Sequence, residues 1–596
     1  MSQLNATDLP RWDLTDFYQS IDDQAILAEL AQAEQLAKAF HQRFEATFKN
    51  DNWSPTDLVA AIEAYEQVEE LMGKLISYAY LNYATHLTDS NVVKFFQMIQ
   101  EKITAFSTHL IFFTLDLNKI DEAILLQAYG SNESLHHYKP WIDSLRLFRP
   151  HQLDHNLEQL FHEKSLTSRN AWVRLYDETL ASLTFTYENQ LLPLAQILDL
   201  LSHKESQVRK TAALSLSEGL KQRLPLFAMV TNVLAKDKEI EDTWRQYPHS
   251  VAARNLSNQV EDEVVNALVE AVKHNYKNLS HRYYQLKAKC LRVDKLDYWD
   301  RNAPLPEAED KPIAWDEARH IVLEAYQAFS PEMSEIGTRF FTKNWIDVPA
   351  LASKQSGAFA HPTIPSVHPY ILLNYQGKLR DVMTLAHELG HGIHQVLASD
   401  LGLFLSSTPL TIAETASVFG EMLTFRSLLQ KTTSVSQKRS LIAAKIEDML
   451  NTSVRQIAFF EFEREVHNRR KAGELSVEEL NAIWIETQGE ALGPWVNLDP
   501  ALMPYWSYIS HFIHAPFYVY AYAFGDCLVN SLYSVYQQGH PDFAAKYLKL
   551  LQAGGSKRHH ELLAPFNLDA RDSEFWQKGL NVIIGLIDEF ETLMDA

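Results

Sequence analysis

The chain is predicted to be mainly α-helical, with a small β-sheet set beside one functional helix, and three observations lead there. Glycine (19) and proline (22) are scarce among 596 residues, as expected of long helices joined by few tight turns. Most of the chain repeats apolar residues at three- and four-residue steps, the spacing of amphipathic helices. Strand-like alternation is confined to a few short runs, two of them directly ahead of the helix that carries the chemistry. At this length one core does not suffice. Two helical lobes are expected: an N-terminal lobe over 1–190 and a region over 191–596 that holds the candidate functional residues.

The elements follow in order. Residues 1–20, with Trp12-Asp-Leu-Thr-Asp-Phe-Tyr18, read as an ordered lead-in. Helices are expected at 22–48, 55–88 and 91–113, with Ser54-Pro55 supplying cap and first turn of the second. His86, His109, His136 and His137 lack metal-like spacing and read as ordinary helix or loop histidines. Ser182–Tyr187 alternates like a hairpin strand. Helices resume at 191–201, then at 205–221, and continue to about 290. One long amphipathic helix is expected over 314–342. The texture then changes. Residues 354–359 and 369–375 read as strands, and Gln376-Gly377-Lys378 as a turn into a helix that Asp381 would cap. The free edge of such a sheet offers backbone N–H and C=O groups to an extended peptide as an added strand. The plainer alternative is a hairpin that binds nothing.

Composition excludes several classes. Apolar residues make up 46% and charged residues 22%, the profile of a soluble globular protein. A net charge of −22 argues against nucleic acid and anionic membrane surfaces, both of which want basic patches. Two cysteines, Cys290 and Cys527, cannot build a disulfide framework, so a reducing, cytoplasmic setting is expected. Met1–Pro10 has no basic segment followed by an apolar run, so no signal peptide is read there. No apolar run approaches membrane-spanning length.

The chemistry centres on His387-Glu388-Leu-Gly-His391. On a helix, histidines at i and i+4 stack on one face, where two ring nitrogens can meet one metal ion. Glu388 can then work on a water at that ion. With 24 histidines in the chain, chance alone gives the pattern in roughly one such sequence in twenty, so further residues must decide. A catalytic zinc needs a third protein ligand, and Glu414 in Thr411-Ile-Ala-Glu414 is the candidate. Its competing reading is a capping box, with Glu414 reaching back to the Thr411 amide. Glu421, seven residues on and on the same face, is placed to hold the ring N–H of a ligand histidine.

These blocks resemble the active site of oligoendopeptidase F and its relatives, in the M3 or thimet-oligopeptidase-like family of zinc metallopeptidases. A third block, His511-Phe-Ile-His514-Ala-Pro-Phe-Tyr518-Val-Tyr520-Ala-Tyr522, is similar to the family's His- and Tyr-rich segment. Trp345-Ile-Asp347, Ser356-Gly357-Ala358-Phe359 and Gly554-Gly-Ser556 also resemble family positions. The likeness runs through most of 290–580 and more thinly through the N-terminal half. It implies a mostly helical, ellipsoidal protein split by a deep channel with one zinc at its floor, and makes 191–596 the catalytic region. It further implies His387, His391 and Glu414 as ligands, Glu388 as general base, and His511, Tyr518 and Tyr522 as helpers on a far wall. Gly357, Ala358 and His514 would meet the substrate. Two histidines stand where the family has one, and the distance to Pro516 favours His511. Tyr518 and Tyr522, four apart, are expected on one helix face.

The expected activity is zinc-dependent cleavage of short, unfolded oligopeptides from within. A helical zinc carboxypeptidase is the alternative, although no Arg motif for a terminal carboxylate is identifiable. A silent peptide-binding protein would need a damaged site, and every catalytic residue type is present. Oligomeric state, cleavage preference and peptide length leave no mark in the sequence.

Overall fold

The computed structural model describes residues 9–50, 52–306, 312–351 and 353–594. It is 72% helix and 4% strand, a helical protein with minor sheets. The first eight residues of the expected lead-in, which include most of the segment expected to lack a signal peptide, lie outside the described residues. No helix among the described residues is long and apolar enough to cross a membrane.

The chain divides into two compact units, each assembled from three stretches. One comprises Met1–Arg149, Asp310–Leu428 and Pro541–Pro565; the other comprises Pro150–Glu309, Leu429–His540 and Phe566–Ala596. These units describe packing. The division into a lobe over 1–190 and a catalytic region over 191–596 stands as a proposal.

The first unit opens with helices Gln24–Lys49, Pro55–Thr85 and Ser90–Ser107. Ser54 caps the second in a reciprocal box with Asp57, and Pro55 occupies the first turn, where its missing N–H is no loss. Phe40, Phe44, Phe48 and Phe113 fill the core beneath them. The expected helix over 91–113 stops at Ser107, and a separate helix starts at Ile111. The expected single helix over 314–342 is two, Trp315–Phe329 and Pro331–Thr342. Pro331 cannot donate to the turn before it and forces Ser330 out of helical geometry, to φ −151° and ψ 118°. The Ser330 hydroxyl then accepts from the Met333 amide and caps the second helix.

Three strands of this unit form the sheet that positions the site: β1 (Ile346–Pro349), β2 (Phe359–His361) and β3 (Tyr370–Tyr375). β3 is central, with β1 parallel to it and β2 antiparallel, Ala360 facing Ile371. β1 has no counterpart among the expected strands, because four residues are too few to show a period. The expected strand over 354–359 is confined to its last residue. Upstream, the Asn374 side-chain amide donates to the carbonyls of Gln355 and Gly357 at 2.9 and 2.8 Å. Gly357 takes φ +85°, which a side chain would resist. That side-chain bonding and the left-handed glycine replace a regular ladder.

In the second unit, Tyr520–Gln537 packs against Ser573–Met594, with Cys527 and Trp576 fully buried. Phe185–Tyr187 pairs antiparallel with Gln190–Leu192, so the expected hairpin strand is present. The helix expected from 191 begins after Pro193 instead, because 191 and 192 belong to the returning strand.

Candidate active site

A turn at Gln376–Lys378 leads from β3 into the helix Leu379–Ala398, which carries His387, Glu388 and His391. Asp381 is not its N-cap. It sits at the third helical position, and its carboxylate accepts from the Gln376 and Lys378 amides at 2.8 and 2.9 Å, anchoring the helix to the turn. Val382, Leu385, Leu389 and Ile393 bury one face, leaving His387 and His391 half-buried on another.

Glu414 follows the short helix Leu410–Ala413 and immediately precedes the helix Thr415–Lys431. Thr411 lies inside that short helix, and Glu414 sits between the two helices. The Glu414 carboxylate accepts from Ser417 Oγ at 2.7 Å and comes within 3.4 Å of His387 Nε2 and 3.5 Å of His391 Nε2. The two Nε2 atoms are 3.1 Å apart. Close approach of the two helices depends on Gly390: a Cβ there would lie 2.5 Å from the Ala416 carbonyl oxygen.

The donor set fits a zinc-like ion. Ligands about 2.0–2.2 Å from a tetrahedral centre stand about 3.3–3.6 Å from one another, and the three donor atoms span 3.1–3.5 Å. Behind them, Glu421 Oε1 bonds His387 Nδ1 at 2.6 Å, which leaves Nε2 as the free nitrogen. Burial opposes charge on His387, yet Glu421 and the neighbouring carboxylates carry its pKa up to about 9. Burial takes His391 down to about 4. Glu388 is buried on the same helix; burial pushes its carboxyl up to about 7, against the pull of His387, and the Ala360 amide of β2 also favours its ionised form.

Gly357 and Ala358 precede β2 and line a cleft of about 280 Å³ with Asn374, Gln376, Arg380 and Thr384.

The other expected residues lie in the second unit and form a cluster of their own. His511 starts a four-residue helix, and its Nε2 meets the Tyr522 hydroxyl at 3.2 Å. The Tyr518 and Tyr522 rings are 5.2 Å apart. Tyr518 is not on a helix with Tyr522, however. Pro516 and Phe517, the latter at φ 58°, interrupt the chain, and the helix starts at Tyr520. The Phe517 amide donates to the buried Glu463 at 2.9 Å. His514 stands apart: it is exposed and bonds Asp177 at 2.8 Å. Tyr520, on the opposite side of the sequence pattern, is buried and bonded to Asn255 and Asn258.

Two supporting contacts leave no mark in the sequence. Tyr326 donates to the carbonyl of Ala386, next to His387, at 2.6 Å, and Tyr547 donates to the carbonyl of Thr415, next to Glu414, at 2.7 Å. Both come from distant helices, and no local pattern marks them.

Comparison with known proteins decides the family. Residues 200–582 match peptidase family M3 and residues 116–185 match oligopeptidase F. The chain belongs to peptidase family M3. As a member, it is a metalloendopeptidase. An oligoendopeptidase F homolog of Lactococcus lactis is 25% identical over 597 residues, covering 98% of this chain and 97% of that relative. Oligopeptidase PepF of Bacillus subtilis is 25% identical over 558 residues, covering 91% and 82%. The crystal structure of oligoendopeptidase-F from Enterococcus faecium shares the fold, with a TM-score of 0.70, 20% identity and coverage of 96% and 98%. A solved chain from Chlamydophila abortus does so with a TM-score of 0.87, 22% identity and coverage of 99% and 100%.

Proposed function

We propose that this M3 peptidase is a zinc-dependent oligoendopeptidase that cleaves short, unfolded peptides. The observation that carries this reading is the triangle of His387 Nε2, His391 Nε2 and Glu414 Oε2, all within 4.8 Å of one another, with Glu421 behind His387. His387, His391 and Glu414 would hold the ion. When bound, zinc would supply Lewis acidity to the scissile carbonyl and to water.

The remaining work falls to side chains. Glu421 fixes the His387 ring by accepting a hydrogen bond from its Nδ1–H, so that Nε2 keeps its lone pair. Glu388 takes the proton of the attacking water and passes it to the leaving amine. Tyr518 donates its hydroxyl to the oxygen that becomes negative in the transition state, with Tyr522 and His511 orienting it. β2 is an edge strand, so its outer backbone, with Gly357 and Ala358 ahead of it, is suited to hold an extended peptide. An edge of this kind accepts unfolded segments and not folded domains. His514, paired with Asp177, would meet substrate only at the margin. Both cysteines are free, which supports a reducing compartment, and we assign the protein to the cytoplasm.

The test uses peptides blocked at both termini, with products read by mass spectrometry. Internal cuts that vanish with a chelator and with Glu388→Gln are expected. Internal cuts that persist in zinc-free protein would contradict the proposal.

A further inference from the structure

The second unit contains a polar cavity with no part in the chemistry above. It measures about 50 Å³ and is lined by Arg301, Arg455, Gln488, Trp484, Tyr298 and Tyr508 among others. Arg301 follows the turn Tyr298–Asp300, Arg455 lies in the first turn of Val454–Arg470, and Gln488 comes from Val477–Leu492. Three donors on this wall are sealed from solvent and lack a hydrogen-bond partner: Nε of Arg301, Nε of Arg455 and Nε2 of Gln488. Buried donors are almost always satisfied, so three on one cavity call for a missing acceptor.

Charge narrows the choice. Among the described residues neither guanidinium forms an ion pair. Two acids of this region are already taken: Asp300 by Arg209 at 2.5 Å, and Glu447 by Lys287 at 2.6 Å. Arg301 and Arg455 are therefore left as partly buried positive charges without an ion pair, Arg455 having only the neutral Tyr508 hydroxyl as a side-chain partner. They also act on each other, since burial and then Arg301 push Arg455 down to about 10. The Phe459 ring, 4.9 Å from the Arg455 guanidinium, offers only a partial counterweight. Water could satisfy the buried donors but would leave two like charges side by side on one wall, a pairing that a counter-ion relieves.

We propose that this cavity binds a compact monovalent inorganic anion of the chloride class, held by Arg301 and Arg455 with Gln488 as a further donor. About 50 Å³ admits such an ion with a water or two and excludes a peptide segment. Tyr508 on the wall ends the turn Pro500–Tyr508, which leads into the helix starting at His511. A bound anion would thus brace the backbone just ahead of that histidine.

The test starts from the intact protein dialysed into sodium gluconate, an anion too large for the site. Sodium chloride or bromide then replaces gluconate at constant ionic strength while the thermal midpoint is followed. A saturable rise of roughly 2 °C or more is expected with either halide, and Arg301→Gln and Arg455→Gln should abolish it. Crystals grown in bromide should show an anomalous peak in this cavity. An unsaturable response, an undiminished response in both variants, or a cavity without bromide would overturn the proposal. Should neither variant fold, the bromide peak in the unaltered protein decides alone.

Discussion

Glu388 and Glu421 are both carboxylates within reach of His387, yet their surroundings set them to different work. Glu421 is bonded to a ring nitrogen, whereas Glu388 is buried with its carboxyl pushed up to about 7. Glu388→Gln should keep the metal and lower kcat by about a hundredfold or more, measured as turnover of zinc-loaded protein. Glu421→Ala should instead weaken metal retention by about 10–100-fold, measured by competition with a chelator. Tyr518→Phe removes one hydroxyl and should lower kcat by about a hundredfold with little change in KM. Unchanged constants in both Tyr518→Phe and Tyr522→Phe would make that cluster structural. Glu463 offers a pH test away from the metal. Burial raises its carboxyl to about 8 from an ordinary 4.5. The native state therefore holds this proton more tightly than the unfolded chain does. The stabilisation is complete below about pH 4.5 and is lost as pH rises through about 8. Glu463→Gln should flatten that part of the stability profile; an identical slope in both proteins would contradict the assignment.

Among elements, the contact between the His-Glu helix and the helix after Glu414 matters most, because it brings a ligand candidate distant in sequence to the histidines. Gly390→Ala would drive a methyl to 2.5 Å from the Ala416 carbonyl oxygen, at a cost of about 1–3 kcal/mol in urea unfolding. Gly130→Ala, where a Cβ meets nothing within 4 Å, should be neutral or mildly stabilising. Equal effects in the two variants would mean that the close approach is unimportant. The His-Glu helix was legible because its period and motif are local. The break at Ser330–Pro331 was written in the sequence too, but the strong period on both sides concealed it. Tyr518 was misplaced on a helix for a different reason: four-residue spacing is necessary for a shared face, and Phe517 at positive φ is visible only in the structure. Support from Tyr326 and Tyr547 could not be read at all, since nothing local ties a core tyrosine to a carbonyl on a distant helix.

At the scale of the whole molecule, scarcity of glycine and proline anticipated a helical body, and the helical content agrees. The assembly of each packing unit from three separated stretches was not legible, because packing across long sequence gaps leaves no periodic trace. A metal bound by the native state alone ties the site to global stability. Chelation should lower the thermal midpoint, and added zinc should restore it in a concentration-dependent way. A midpoint indifferent to both would separate the site from folding. The central claim is that Glu414 is a metal ligand and not a helix cap, and metal content of the purified Glu414→Ala variant tests it most directly. After dialysis, unaltered protein should hold one zinc per chain. The variant should be depleted of zinc while remaining folded by circular dichroism. A fully loaded, active Glu414→Ala protein that has merely lost the roughly 1 kcal/mol of a cap would contradict the claim.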